Sequence, residues 1–227
     1  MADQRFLVVN ADDFGLSEGV SMGIAEAHER GIVTSTSLMV RQPDAEGAVA
    51  LARGLPALAV GLHLDLGQWD FQDGEWRLAY RRCLTEERDS VEAECRDQVE
   101  TFRELTGRDP THLDSHQHVH RSEPVASVAE RIAAELDVPL RERSIRYEGG
   151  FYGQAGRGEP FPEGITVARL VELVGSLDPG WTELGCHPGH AAASVSSYGT
   201  EREEELKTLC DPEVRGAIER MGVTLRS

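Results

Sequence analysis

Short apolar runs rich in β-branched residues alternate along the chain with segments whose apolar positions recur at helical spacing. The runs predict strands at 5–10, 34–40, 58–64, 111–116, 138–142 and 181–187. Between 90 and 105, Val91, Cys95, Val99, Phe102 and Leu105 share one helical face, and Gly107 and Pro110 stop the helix. Ser122 and Pro124 open another helix carrying Val125, Val128, Ile132 and Leu136, and Asp211-Pro212 opens a last one that Gly222 closes. Strand-then-helix alternation with few hairpin signals predicts an α/β protein with a parallel sheet, open or closed as a barrel. No repeat, low-complexity tract or linker divides the chain, so residues 1–227 are expected to form one domain. One stretch departs from the alternation. Residues 147–164 hold six glycines and two prolines, the mark of a functional or disordered loop.

Composition narrows the classes. At 40% hydrophobic and 28% charged residues, the chain is an ordinary globular protein and not a disordered one. A net charge of −17 repels phosphate backbones and anionic lipid, so neither nucleic acid nor membrane is an expected partner. No apolar run is long enough to span a bilayer, and the start lacks the pattern of a signal peptide. Four dispersed cysteines without a C-x-x-C pair fit a reducing compartment, which together predict a cytoplasmic protein.

The chemistry concentrates where the predicted strands end. Strand one ends in Asn10-Ala11-Asp12-Asp13-Phe14-Gly15 and the third in His63-Leu64-Asp65. The fourth runs His112-Leu113-Asp114-Ser115-His116-Gln117-His118-Val119-His120, and the last ends in His187-Pro188-Gly189-His190. Seven of the eight histidines lie in these segments. Singly, an Asp pair is most often a turn or cap and a lone histidine a satisfied polar residue. Gathered at the carboxyl ends of one parallel sheet, they predict a site. In an extended chain His112, Asp114 and His116 would share a face, with His118 and His120 following if the strand continued. One carboxylate and two imidazoles on a divalent ion leave room for water and substrate, while a second carboxylate and another histidine supply base and acid. The constellation reads as metal-assisted hydrolysis. Motifs of serine hydrolases, P-loop enzymes, Rossmann oxidoreductases and zincins are absent.

The run Val8-Val9-Asn10-Ala11-Asp12-Asp13-Phe14-Gly15-Leu16-Ser17, followed by Gly31-Ile32-Val33-Thr34-Ser35-Thr36-Ser37, resembles the opening of the YdjC/ChbG-type carbohydrate deacetylases. The likeness continues through Gly61-Leu62-His63, residues 111–120, Phe151-Tyr152-Gly153 and Cys186-His187-Pro188-Gly189. It implies an irregular (β/α) TIM-like barrel related to polysaccharide deacetylases, usually homodimeric, that removes N-acetyl groups from amino-sugar oligosaccharides with one divalent metal. By this resemblance Asp13, His63 and His116 hold the metal, Asp12 is the general base, and His187 is the acid that protonates the amine. The family's metal is commonly magnesium, whereas two imidazoles suit zinc or another transition metal better.

Further roles follow from placement. Asp114 could orient a histidine, and Arg141 could contact substrate or orient Asp12. Trp69, Phe71, Trp76 and Tyr80 could stack on sugar rings. Arg41-Gln42, where relatives often carry Asn-Gly, and a short 66–88 segment with Arg77, Arg81 and Arg82 leave the sugar's identity open. Two rival readings are a metal-dependent phosphoesterase and a non-catalytic sugar-binding protein on the same fold.

Overall fold

A computed structural model describes residues 4–190 and 198–227. The chain runs β1 (Arg5–Phe14), α1 (Glu18–Arg30), β2 (Ser35–Leu38), α2 (Ala45–Arg53), β3 (Ala59–Leu64), β4 (Gly67–Gln72), β5 (Glu75–Arg81), α3 (Arg88–Thr106) and β6 (Leu113–Ser115). After a 3₁₀ turn at His116–Arg121 come α4 (Val125–Leu136), β7 (Arg146–Glu148), α5 (Val167–Gly175), β8 (Gly180–Cys186), α6 (Thr200–Leu209), α7 (Pro212–Arg220) and β9 (Val223–Arg226). The helix boundaries obey their local chemistry. Ser17 accepts a hydrogen bond from the Val20 amide at the start of α1, Gly107 ends α3 in the left-handed region, and Asp211 with Pro212 opens α7.

The main sheet is parallel, in the order β6-β3-β2-β1-β8-β7, with β9 also paired to the first half of β1. It curls into a half-barrel packed against helices, with Leu7, Val9, Leu62, Leu113 and Leu184 among the residues that fill its core. The irregular barrel is thus what forms, and it does not close. The strand expected at 138–142 is absent: Leu140 makes one isolated bridge to Leu113, Pro139 has no amide hydrogen to give, and Glu142 turns the chain away at φ 64°. That bridge suffices to hold Arg141, whose amide bonds Leu113 O at 3.0 Å.

The second departure is an antiparallel hairpin, β4–β5, in place of an all-parallel arrangement. Asp73 and Gly74, both at positive φ, make its two-residue turn, the Asp-Gly signature of hairpins. Asp65, fully buried, anchors it by accepting hydrogen bonds from Gln42, Tyr80 and Arg82. The first part of the glycine-rich loop packs on the barrel: Phe151 enters the core, and the Gly153 amide bonds the Tyr198 hydroxyl at 2.7 Å. No helix among the described residues is long and apolar enough to cross a membrane.

Gly23 on α1 abuts the loop after β8. A Cβ there would lie 2.5 Å from Gly189 Cα and 2.9 Å from His190 N. Backbone cannot yield as a side-chain tip does, so Gly23→Ala is expected to cost about 1–3 kcal/mol, read as a lowered urea midpoint at unchanged m-value.

Candidate active site

The strand ends meet in a cavity of about 340 Å³ lined by Asp12, Asp13, His63, His116, Tyr147 and His187 among others. The first feature that shapes it is a bulge in β1. Ala11 pairs with Thr36 and Phe14 with Leu38, so three steps on β1 match two on β2, and Asp13 takes φ 68°. A regular strand would send Asp12 and Asp13 to opposite faces; the bulge lets both line the cavity.

The two carboxylates are then held by different cations. Asp12 receives a fork of hydrogen bonds from Arg141 at 2.6 and 2.7 Å and a third from Asn10 at 2.8 Å. Burial opposes its charge, but the Arg141 guanidinium overrides that and holds the carboxyl far below the usual range. Arg141 itself is fully buried and also pairs with Asp114 at 2.7 Å and Glu183 at 2.6 Å. Asp13 is bound through Oδ2 by Arg202 of α6 at 2.6 Å. Against burial, Arg202 and the His116 ring keep Asp13 well below its ordinary value.

Asp13 Oδ1, in contrast, is buried without a hydrogen-bond partner. His63 Nε2 approaches it at 3.5 Å and His116 Nδ1 at 3.2 Å. Donors bonded to one tetrahedral zinc at roughly 2.0–2.1 Å lie about 3.3–3.4 Å apart, so these three side chains fit a common ion. His63 Nδ1 meets Asp114 Oδ1 at 2.7 Å, which leaves Nε2 free to take an ion and matches the carboxylate–imidazole pairing common at metal sites. Burial alone would lower the His63 pKa, yet Asp114 and the neighbouring carboxylates raise it to about 9, a measure of how strongly this position favours positive charge. A second donor group, Asp12, His63 and Asp114, also lies close together. It suits a metal poorly, because Arg141 occupies both carboxylates and Asp114 occupies the ring nitrogen.

His187 stands on the other side of Asp12, with Nε2 3.9 Å from Asp12 Oδ2. Burial, only partly offset by Asp12 and Asp13, lowers its pKa to about 4, so the ring is neutral at pH 7. Its amide donates to Glu205, which also accepts from the Tyr198 hydroxyl. Burial pushes Glu205 up to about 8 despite those bonds.

All seven residues expected at the site, Asp12, Asp13, His63, Asp114, His116, Arg141 and His187, come together. His112, Asp114 and His116 do not converge on one site as expected. His112 lies against Gly61 and lines a cavity of about 310 Å³ at the amino ends of the strands, while the strand stops at Ser115. Gln117 and His118 then adopt positive φ, which breaks the alternation beyond it. Tyr80 is spent on Asp65, and Arg41 pairs with Glu94 and Asp97 of α3, so neither borders the cavity. Trp69 and Trp76 are exposed on the hairpin, 46% and 54%. Gln117 bonds both the amide and the carbonyl of Trp69, tying the hairpin to the His116 turn. Arg202, Glu205, Glu183 and Tyr198 are additions. Arg202 and Glu205 share a helical face with Leu206 and Leu209, the one signal that could have marked them as buried.

The model of the YdjC-like protein family matches residues 6–220. The chain belongs to the YdjC-like family. It is similar to a carbohydrate deacetylase of Geobacillus stearothermophilus, 36% identical across 97% of this chain and 96% of that one. A chitooligosaccharide deacetylase of Serratia marcescens is 33% identical over 99% of this chain and 98% of its own. Among solved structures, a protein of Enterococcus faecalis V583 superposes with a TM-score of 0.82 at 27% identity, covering 99% of this chain and 97% of that one. A family 4 carbohydrate esterase of Streptomyces lividans shares the fold at a TM-score of 0.59 and 11% identity, over 100% of this chain and 94% of its own. The half-barrel fold is thus shared with that esterase.

Two outcomes follow from the site. Asp114→Asn removes the charge behind His63 and is expected to weaken zinc binding about 10–100-fold, measured by competition with a chromophoric chelator. Glu205 holds its proton to a higher pH folded than unfolded, so it contributes stability below its usual 4.5 that is lost as pH rises towards about 8. Glu205→Gln should therefore flatten the decline in urea stability between pH 5 and 8 and leave the mutant the more stable protein at the upper end.

Proposed function

We propose that this protein is a metal-dependent hydrolase that removes N-acetyl groups from an amino-sugar oligosaccharide or related glycoconjugate, releasing acetate. The observation that carries the reading is the meeting of the Asp13–His63–His116 donors with Asp12 and His187 in one cavity. The names of its YdjC-like relatives, carbohydrate deacetylase and chitooligosaccharide deacetylase, point to the substrate class.

Asp13, His63 and His116 would hold a divalent ion, which when bound polarises the acetyl carbonyl and makes water a stronger acid. Two imidazoles favour zinc, cobalt or nickel over the magnesium usual in the family. Asp12, ionised and clamped by Arg141, receives the proton of the attacking water. Because Arg141 keeps its proton affinity low, Asp12 holds that proton only briefly. The neutral His187 ring, 3.9 Å away, takes the proton up and delivers it to the departing amine nitrogen. Arg141 and Asp114 are positioning residues, the first for Asp12 and the second for His63. A homodimer in the cytoplasm completes the reading.

The test is acetate release from N-acetylated chitooligosaccharides and their phosphorylated counterparts by metal-loaded and chelator-stripped protein. Release that needs the metal is expected, with His63→Ala and His116→Ala at background. His187→Ala should retain metal and lose about 10²–10⁴ in kcat. Full activity in His116→Ala would overturn the ligand assignment, and silence across the panel from folded, metal-loaded protein would overturn the reaction.

A further inference from the structure

Beside the proposed catalytic cluster lies a third group of donors. His118, His120 and Glu142 each offer one atom, all within 4.8 Å of one another. His118 Nδ1 and Glu142 Oε1 are 3.4 Å apart, the spacing of two ligands about a tetrahedral ion. His120 is 1% exposed. Its Nδ1 meets the Ser115 hydroxyl at 2.6 Å, and its Nε2 is buried with no partner. His118 Nδ1 likewise has no hydrogen-bond partner, while its Nε2 has a long contact with the Tyr147 hydroxyl at 3.5 Å. Two unpaired imidazole nitrogens beside a carboxylate are costly unless something donates to or binds them.

We propose that His118, His120 and Glu142 form a second divalent transition-metal site, distinct from the Asp13–His63–His116 cluster. Two imidazoles and one carboxylate match zinc, cobalt or nickel and disfavour magnesium or calcium. Ser115 orients His120 from behind, as outer hydrogen bonds orient metal-binding imidazoles. Arg121 now forks onto Glu142 and competes for the same oxygens. That side chain is 51% exposed, so it can swing into water when an ion arrives. Because His116 opens the turn that also carries His118 and His120, an ion here braces the turn from which a proposed catalytic ligand projects.

The test reads metal content and needs no substrate, so it stands apart from the deacetylase reading. Metal-stripped protein is loaded with zinc, desalted and analysed for zinc per chain, with folding checked by thermal melting. Wild type should hold two zinc ions and Glu142→Gln one. His63→Ala should also keep one, and its cobalt form should show the absorption of a tetrahedral site that Glu142→Gln in the same background removes. Arg121→Ala should bind the second ion at least threefold more tightly. One zinc in wild type with no change in Glu142→Gln would overturn the proposal. So would His63→Ala that folds and holds none; should it fail to fold, wild type against Glu142→Gln decides.

Discussion

The site depends on one buried guanidinium. Arg141 sits inside the half-barrel with Asp12 of β1, Asp114 of β6 and Glu183 of β8 around it. A charge so enclosed is tolerable only when fully paired, and removing one partner from such a cluster typically costs about 3–5 kcal/mol. The carboxylates depend on the cation in turn, since burial alone would favour their neutral forms. Glu183 shows this tension: burial outweighs Arg141 and raises it to about 7. The cluster therefore locks three strands together at the level where the chemistry lies. It also reaches the metal donors, because Asp114 passes its orientation on to His63.

A second constraint divides the labour of two adjacent carboxylates. The bulge turns both Asp12 and Asp13 into one cavity, where unpaired like charges would repel. Arg141 from below and Arg202 from α6 neutralise them separately. Each arginine leaves its aspartate a different free face. Asp12 is pinned through both oxygens near His187, whereas Asp13 is pinned through one and presents the other to two imidazoles.

Much of this was legible from residue order because parallel strands deliver their carboxyl ends to one place. Histidines and acids at four strand ends had to meet, whatever the exact register. What resisted reading was contact between distant, charged segments. Arg202 and Glu205 sit in the run Glu201-Arg202-Glu203-Glu204-Glu205, which looks like a solvated helix until Tyr198 and the loop after β8 cover one face. The 138–142 segment has strand-like composition, yet Pro139 and the left-handed Glu142 limit it to one bridge. The hairpin was available in Asp73-Gly74 but was masked by the parallel pattern around it. His112 shows the limit of period-two reasoning, which assigns a face and not a height along the barrel.

The hairpin has a bearing on how this scaffold can diversify. Among the described residues β4 and β5 pair with each other and with no strand of the main sheet, and Asp65 at the base and Gln117 at Trp69 tie them to the barrel. Nothing in the arginine cluster passes through them. Mutations that lengthen or resurface the hairpin can thus alter what the cavity's rim offers an incoming molecule at little expense to folding. Such a chain carries two modules of different kind, a charged floor enclosed by strands and a largely exposed awning beside it.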